Sequence, residues 1–276
     1  MRIITLGTSH GDSTFDRFNS STLFETSSGR LYLVDAGAPC EALIRRKGLN
    51  IKDLKAVFIT HMHDDHAGGL SSLIKQATKY KQDRNFDLNI HLPEFRAINA
   101  LKEWVKVLHE NANDNILKYY AVTDGEFYSD DELTVTAIRT KHLRTISRTE
   151  GDPCSFAYIL DFKKENKKIL HSGDLWSDFS DFPKTALEEH FDLCLLEATH
   201  YNPAVAAEIL KDAKFSRLIF NHVFDKWHIR VFDSWKADNG EKNLLEYFKS
   251  LPYPVCISHD GDEFLLLFFK FTEMLE

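Results

Sequence analysis

The sequence predicts an α/β fold, a four-layer αββα sandwich in which two mixed β-sheets lie face to face and helices cover their outer surfaces. Two observations carry this. The chain opens with three short strand-like runs in a meander, and later runs then mix with helical patterns. No repeat, linker or low-complexity tract interrupts the 276 residues, so one domain over 1–276 is expected.

β-branched and aromatic runs mark strands at Arg2 to Leu6, Ser21 to Thr26, Leu31 to Val34, Ala56 to Thr60, Leu88 to Leu92 and Leu133 to Thr140. Further runs lie at Ser155 to Phe162, Lys168 to Ser172, Leu193 to Glu197, Leu218 to Asn221, Val255 to Ser258 and Phe264 to Phe269. Helical patterns fall between them, at Pro39 to Lys47, Asp65 to Tyr80, Pro93 to Asn111, Pro203 to Ala213 and Glu241 to Leu251. Pro39, Pro93 and Pro203 each sit where a first helical turn would begin. The charged stretch from Lys81 to Asp87 reads as a solvated loop. Residues 81–120 then read as an insert of strand, helix (with Trp104 and His109) and second strand.

With 43% hydrophobic and 28% charged residues, the composition is that of a globular protein with a sizeable core. A net charge of −8 argues against a broad nucleic-acid-binding face but leaves room for a local basic patch. Cys40, Cys154, Cys194 and Cys256 form no CxxC pair and three lie in or beside apolar text, so free thiols are expected. No run approaches the roughly 18 apolar residues of a membrane span, and Ile3 to Leu6 is too short for a signal peptide. A cytoplasmic, reducing setting is the expectation.

The chemistry is concentrated in His61-Met62-His63-Asp64-Asp65-His66, at the exit of the Val57–Thr60 run. Residues i and i+2 of extended chain point the same way, so His61 and His63 can converge on one cation. Asp65 and His66 would project from the first turn of the following helix, and Gly68-Gly69 would allow close backbone packing beyond it. Any single one of the thirteen histidines reads more simply as a surface or core residue. Three histidines and an aspartate within one strand exit read as a metal site.

This HxHxDH run followed by Gly-Gly resembles the signature of the metallo-β-lactamase fold. The resemblance implies three further ligands, and residues in the matching order are present: His142 after Ile138-Arg139-Thr140, Asp174 in Ser172-Gly173-Asp174, and His222 at the end of Leu218 to Asn221. It implies that His61, His63 and His142 hold one metal, that Asp65, His66 and His222 hold a second, and that Asp174 bridges them. An all-nitrogen-and-oxygen set makes Zn²⁺ the default, with Mn²⁺ or Fe²⁺ as alternatives. Two such ions would lower the pKa of a bridging water and stabilise the oxygens of a displacement.

Within that fold, Gly7-Thr8-Ser9-His10-Gly11, with Arg17 and Ser20-Ser21, resembles the first hairpin of ribonuclease Z and related phosphodiesterases. Glu197-Ala198-Thr199-His200 resembles a passage of the same group. That makes His200 the candidate general acid and phosphate ligand, with Asp65 the other candidate catalytic residue; a capping role for His200 is the alternative. Asp12-Ser13-Thr14-Phe15-Asp16 replaces the proline-containing loop of ribonuclease Z, and no Gly/Pro-rich arm lies between the motifs. Both departures favour a small or cyclic phosphodiester over tRNA, with a nucleic-acid end less favoured. A lactonase or thioesterase is the runner-up, followed by a di-iron redox module. Residues 224–240, with Lys226, Trp227, His228, Arg230 and Trp235, read either as a loop over the cleft or as an ordinary surface loop. His10, His171 and His259 are structural candidates. No membrane partner is expected, and a homodimer is left open.

Overall fold

The computed structural model describes residues 1–80, 86–109, 116–143, 153–224, 227 and 240–267. Among these, the first sheet contains β1 (Arg2–Gly7), β2 (Ser21–Glu25), β3 (Leu31–Val34), β4 (Leu54–Phe58), β5 (Leu88–Leu92) and β6 (Leu117–Ala121). The second contains β7 (Gly125–Ser129), β8 (Leu133–Arg139), β9 (Phe156–Phe162), β10 (Lys167–His171), β11 (Leu193–Ala198), β12 (Leu218–Val223) and β13 (Val255–Ile257). The last strand, β14 (Asp262–Leu265), returns to the first sheet and pairs antiparallel with β1. The orders are β14-β1-β2-β3-β4-β5-β6 and β13-β12-β11-β10-β9-β8-β7. Each sheet is mixed: β1 to β3 form the expected antiparallel meander, whereas β3 to β6 and β10 to β13 run parallel.

Alternation along the strands builds the layers. Ile3, Phe24, Tyr32 and Phe58 face the second sheet and meet Phe156, Tyr158, Leu160, Ile169 and Ile219. Their neighbours Ile4, Leu23, Leu33 and Val57 face outward beneath the helices α1 (Cys40–Arg46), α3 (Leu70–Ala77) and α4 (Phe95–Leu108). On the opposite face, Leu170, Leu196 and Phe220 pack under α5 (Thr185–Glu188), α6 (Pro203–Leu210) and α7 (Gly240–Phe248). Because both faces are covered, these strands read as near-continuous apolar runs.

Several boundaries differ from the sequence reading. The helix expected from Asp65 to Tyr80 is two helices, α2 (Asp64–Ala67) and α3, broken at Gly68-Gly69. Gly69 N–H donates to Ala36 O at 2.8 Å, and a Cβ at Gly69 would lie 2.6 Å from that oxygen. The strand expected to run to Thr60 ends at Phe58, because Thr60 O is taken by Phe156 N–H of the other sheet. β7 went unread, since its half-exposed edge position lacks an apolar signature. Pro203 occupies the first turn of α6 as expected, whereas Pro39 caps α1 and Pro93 stops short of α4. The insert has the expected strand, helix and strand. The part of the final strand expected at Phe268-Phe269 lies outside the described residues. All four cysteines are free, with Cys40 and Cys194 buried.

Gly173, between β10 and the acidic residue it presents, has φ +53°, and a Cβ there would lie 2.3 Å from Phe156 O. Left-handed strain and overpacking together predict that Gly173→Ala lowers stability by about 2–5 kcal/mol. Urea unfolding of the metal-free protein measures this; an unchanged midpoint contradicts it.

Candidate metal centre

The site residues leave the two sheets at one edge of the sandwich. His61 and His63 lie on the link from β4 to α2, and Asp65 and His66 in α2, whose N-cap is His63. His142 follows β8, Asp174 follows β10, His200 follows β11 and His222 is the penultimate residue of β12. The opening loop is stitched across the seam by Val223 N–H to Thr8 O at 2.8 Å, and Asn221 Nδ2 donates to Thr22 Oγ1 at 3.1 Å.

The ligand atoms fall into overlapping groups within 4.8 Å: His61, His63, His142 and Asp174; Asp65, His66 and His222; and Asp174, Glu197, His200 and His222. Asp174 turns one oxygen to each of the first two groups. Its Oδ2 is 3.6 Å from His61 Nε2 and 3.6 Å from His142 Nε2. Its Oδ1 is 3.5 Å from His66 Nε2 and 3.7 Å from His222 Nδ1. Asp65 Oδ2 lies 3.3 Å from His66 Nε2 and 3.1 Å from His222 Nε2. Donor atoms around one tetrahedral ion stand about 3.3 Å apart. His61 Nε2, His66 Nε2 and Asp174 Oδ1 are buried with no hydrogen-bond partner, which native interiors rarely tolerate without a ligand. These side chains fit a pair of divalent cations, and the donor set contains no thiolate.

Charge at the site follows from burial and neighbours. Burial holds the His61, His63 and His142 imidazoles below their ordinary pKa, which keeps them neutral. Burial would raise the Asp65 and Asp174 carboxyls, but the surrounding histidines hold both well below the usual range. His66 is pushed up against its own burial by Asp174 and Asp35.

Two residues with no role in the sequence reading order the histidines. Asp35, with φ 59°, accepts from Thr60 N–H at 2.8 Å and lies 2.8 Å from His66 Nδ1. Its only sequence signal is an acidic residue directly after a buried strand. Glu197 accepts from Leu175 N–H at 2.7 Å through Oε1, and its Oε2 lies 2.9 Å from His200 Nδ1. Although burial lowers the His200 pKa, the Glu197 contact outweighs it and lifts the value to about 9.

The remaining candidates are placed elsewhere. Arg17 is a buried brace, donating to Thr8 Oγ1 at 2.6 Å, Ser258 O at 2.7 Å and Glu241 at 2.7 Å. Gly11 N–H, not a side chain of that loop, reaches the site by donating to Asp65 Oδ2 at 2.7 Å. The His10 ring lies edge-on to Phe224 at 4.9 Å and to His222 at 6.2 Å. His259 pairs with Glu241 at 2.9 Å. Trp227 is packed into the core beneath the second sheet, and Trp104 is exposed on α4. Lys226, His228, Arg230 and Trp235 lie outside the described residues.

A family model described as anti-Pycsar protein Apyc1 matches residues 1–214. The chain belongs to that family. Ribonuclease Z of Pseudomonas putida strain W619 is 34% identical over 190 residues, covering 65% of this chain and 55% of that protein. The chain thus spans about half the length of the first such relatives, with 44% and 56% in the next two. Ribonuclease Z of Archaeoglobus fulgidus is 31% identical over 82% of this chain and 88% of that protein. The metallo-β-lactamase fold protein YhfI of Bacillus subtilis superposes with a TM-score of 0.71 at 18% identity, covering 95% of this chain and 98% of that one. The metallo-β-lactamase fold expected from the sequence is therefore the fold observed. Among the described residues, no helix is long and apolar enough to cross a membrane.

Removing the Asp35 carboxylate leaves His66 Nδ1 and Thr60 N–H buried without their acceptor. Asp35→Ala should cost the metal-free protein about 3–5 kcal/mol. The folded pKa of His66 lies above its unfolded value of about 6.5. Its ion-pair stabilisation is therefore complete below that pH and fades as pH rises through the folded value. The gap between wild type and variant should narrow towards alkaline pH in a chemical-denaturation series; a gap that widens contradicts this.

Proposed function

We propose that the chain is a dinuclear metal-dependent hydrolase that cleaves a small or cyclic phosphodiester, or less favourably a nucleic-acid end. The observation that carries this is Asp174, one oxygen of which faces each of two groups of bare imidazole and carboxylate donors. His61, His63 and His142 would hold one ion, Asp65, His66 and His222 the other, and Asp174 both. When bound, such ions supply Lewis-acid stabilisation of phosphoryl oxygens and activation of water near neutral pH. Zn²⁺ suits the donor set, as do Mn²⁺ and Fe²⁺. A bridging carboxylate in place of cysteine argues against lactam chemistry, and relatives named ribonuclease Z support phosphodiester chemistry.

The chain's own groups then divide the work. Asp65, ionised and anchored by Gly11 N–H, would help orient the attacking water. Glu197 occupies the Nδ1 of His200 and favours its protonated form. That leaves Nε2–H to bind a phosphoryl oxygen and protonate the leaving oxygen.

Elemental analysis of the reconstituted protein should give close to two metal ions per chain. Asp174→Ala should deplete both positions and His142→Ala mainly one; a wild type that takes up one ion or none contradicts the assignment. On substrates, bis(p-nitrophenyl) phosphate should be turned over with Zn²⁺ or Mn²⁺. Lactone or thioester hydrolysis without phosphodiester turnover would favour the runner-up. His200→Ala should keep both metals and lower kcat by roughly 10² to 10⁴. The loss should shrink for p-nitrophenolate leaving groups, which need little protonation. An equal loss on good and poor leaving groups would assign His200 to the scaffold.

A further inference from the structure

Beside the ligand groups lies a cavity of about 10 Å³ lined by Ser20, His66, His171, Asp174, Asn221 and His222, among others. It shares His66, Asp174 and His222 with the ligand groups, is not lined by His61, His63, Asp65 or His142, and extends to Ser20, His171 and Asn221. All six named residues are buried, and each carries a polar side-chain atom. A space of this size holds about one water, provided two to four polar partners surround it.

His171 is the unexplained member. It ends β10, three residues before Asp174, and the proposed chemistry does not use it. Gly173 N–H donates to its Nδ1 at 3.2 Å. A ring nitrogen that accepts a hydrogen bond carries no proton, so in the neutral ring the proton sits on Nε2. That Nε2–H is buried with no partner, and so is the nearby acceptor Asp174 Oδ1. Two residues that each carry an unsatisfied buried polar atom, one a donor and one an acceptor, thus line one chamber sized for a single water. Asn221, whose Nδ2–H goes to Thr22 Oγ1, and Ser20 offer the further contacts such a water needs.

We propose that this chamber is a built water site through which His171 positions Asp174. His171 Nε2–H donates to the water, and the water donates to Asp174 Oδ1. Asp174 reaches the metal centre through a short turn at Gly173, where φ is +53°, so its carboxylate needs a fixed point on the interior side. The water supplies that point, and the Gly173 N–H bond locks the ring tautomer that makes it possible. His171 is on this view a positioning residue that acts on both ions through the one carboxylate shared between them. The inference rests on the dinuclear reading above.

Two substitutions separate the ring's two nitrogens. His171→Asn keeps an acceptor near the Nδ1 position for Gly173 N–H and loses the donor. His171→Gln keeps a donor near the Nε2 position. Chelator competition with Zn²⁺ should show His171→Asn binding metal about 10–100-fold more weakly than wild type, the usual effect of losing an outer hydrogen-bond partner. His171→Gln should stay within about threefold of wild type. The visible absorption of the Co²⁺-substituted protein should shift in His171→Asn and be restored in His171→Gln. A high-resolution crystal structure of wild type should show one water within hydrogen-bond distance of His171 Nε2 and Asp174 Oδ1. Wild-type affinity and spectrum in His171→Asn, equal losses in both variants, or no such water would overturn the proposal. If wild type takes up no metal, the dinuclear reading falls, and the crystal structure alone decides the water site.

Discussion

A carboxylate that stays ionised while fully enclosed is the constraint on which this site depends. Asp174 is 2% exposed and stands at the seam of two sheets. Burying an unpaired charge costs far more than a domain's net stability, so the surroundings must compensate it. Here the compensation comes from imidazoles delivered by both sheets, His66 from the first sheet's exit and His222 from the second. The two face-to-face sheets must therefore be held in one register at this edge of the sandwich. The crossings from Phe156 N–H to Thr60 O, Val223 N–H to Thr8 O and Asn221 to Thr22 fix that register.

The histidines around it are sorted by a second tier of carboxylates. Asp35 and Glu197 use the same device: one oxygen meets a histidine Nδ1 and another contact goes to a backbone N–H. The outcomes differ because the surroundings differ. His66 faces the bare interior with its Nε2, as a ligand would. His200, with 30% of its side chain exposed, is held by Glu197 at a more open position. Asp35 and His222 both have positive φ, at 59° and 49°. Such conformations persist in non-glycine residues only where the surrounding contacts over-determine them, and they concentrate at functional sites.

The candidate metal ligands and the fold class were legible in the sequence because both rest on short-range pattern. His61, His63, Asp65 and His66 are close in sequence, and strand alternation and helix periodicity assign elements without knowledge of their partners. The break at Gly68-Gly69 and the early end of β4 were not legible. Each is set by a backbone contact to a distant residue, Ala36 in one case and Phe156 in the other. The edge strand β7 carried no signal because half of it never enters the core.

By itself the sequence determined which atoms could bind metal, the order of the layers and the expectation of phosphodiester chemistry. Tertiary structure alone decided how these groups are arranged. It set Asp174 between two groups of donors and placed Asp35 and Glu197 against His66 and His200. It made Arg17 a buried brace, and placed His171 on a small chamber beside the candidate metal centre. The physical reason is that proton occupancy, tautomer and burial depend on neighbours a few ångströms away, and those neighbours come from strands far apart in the chain.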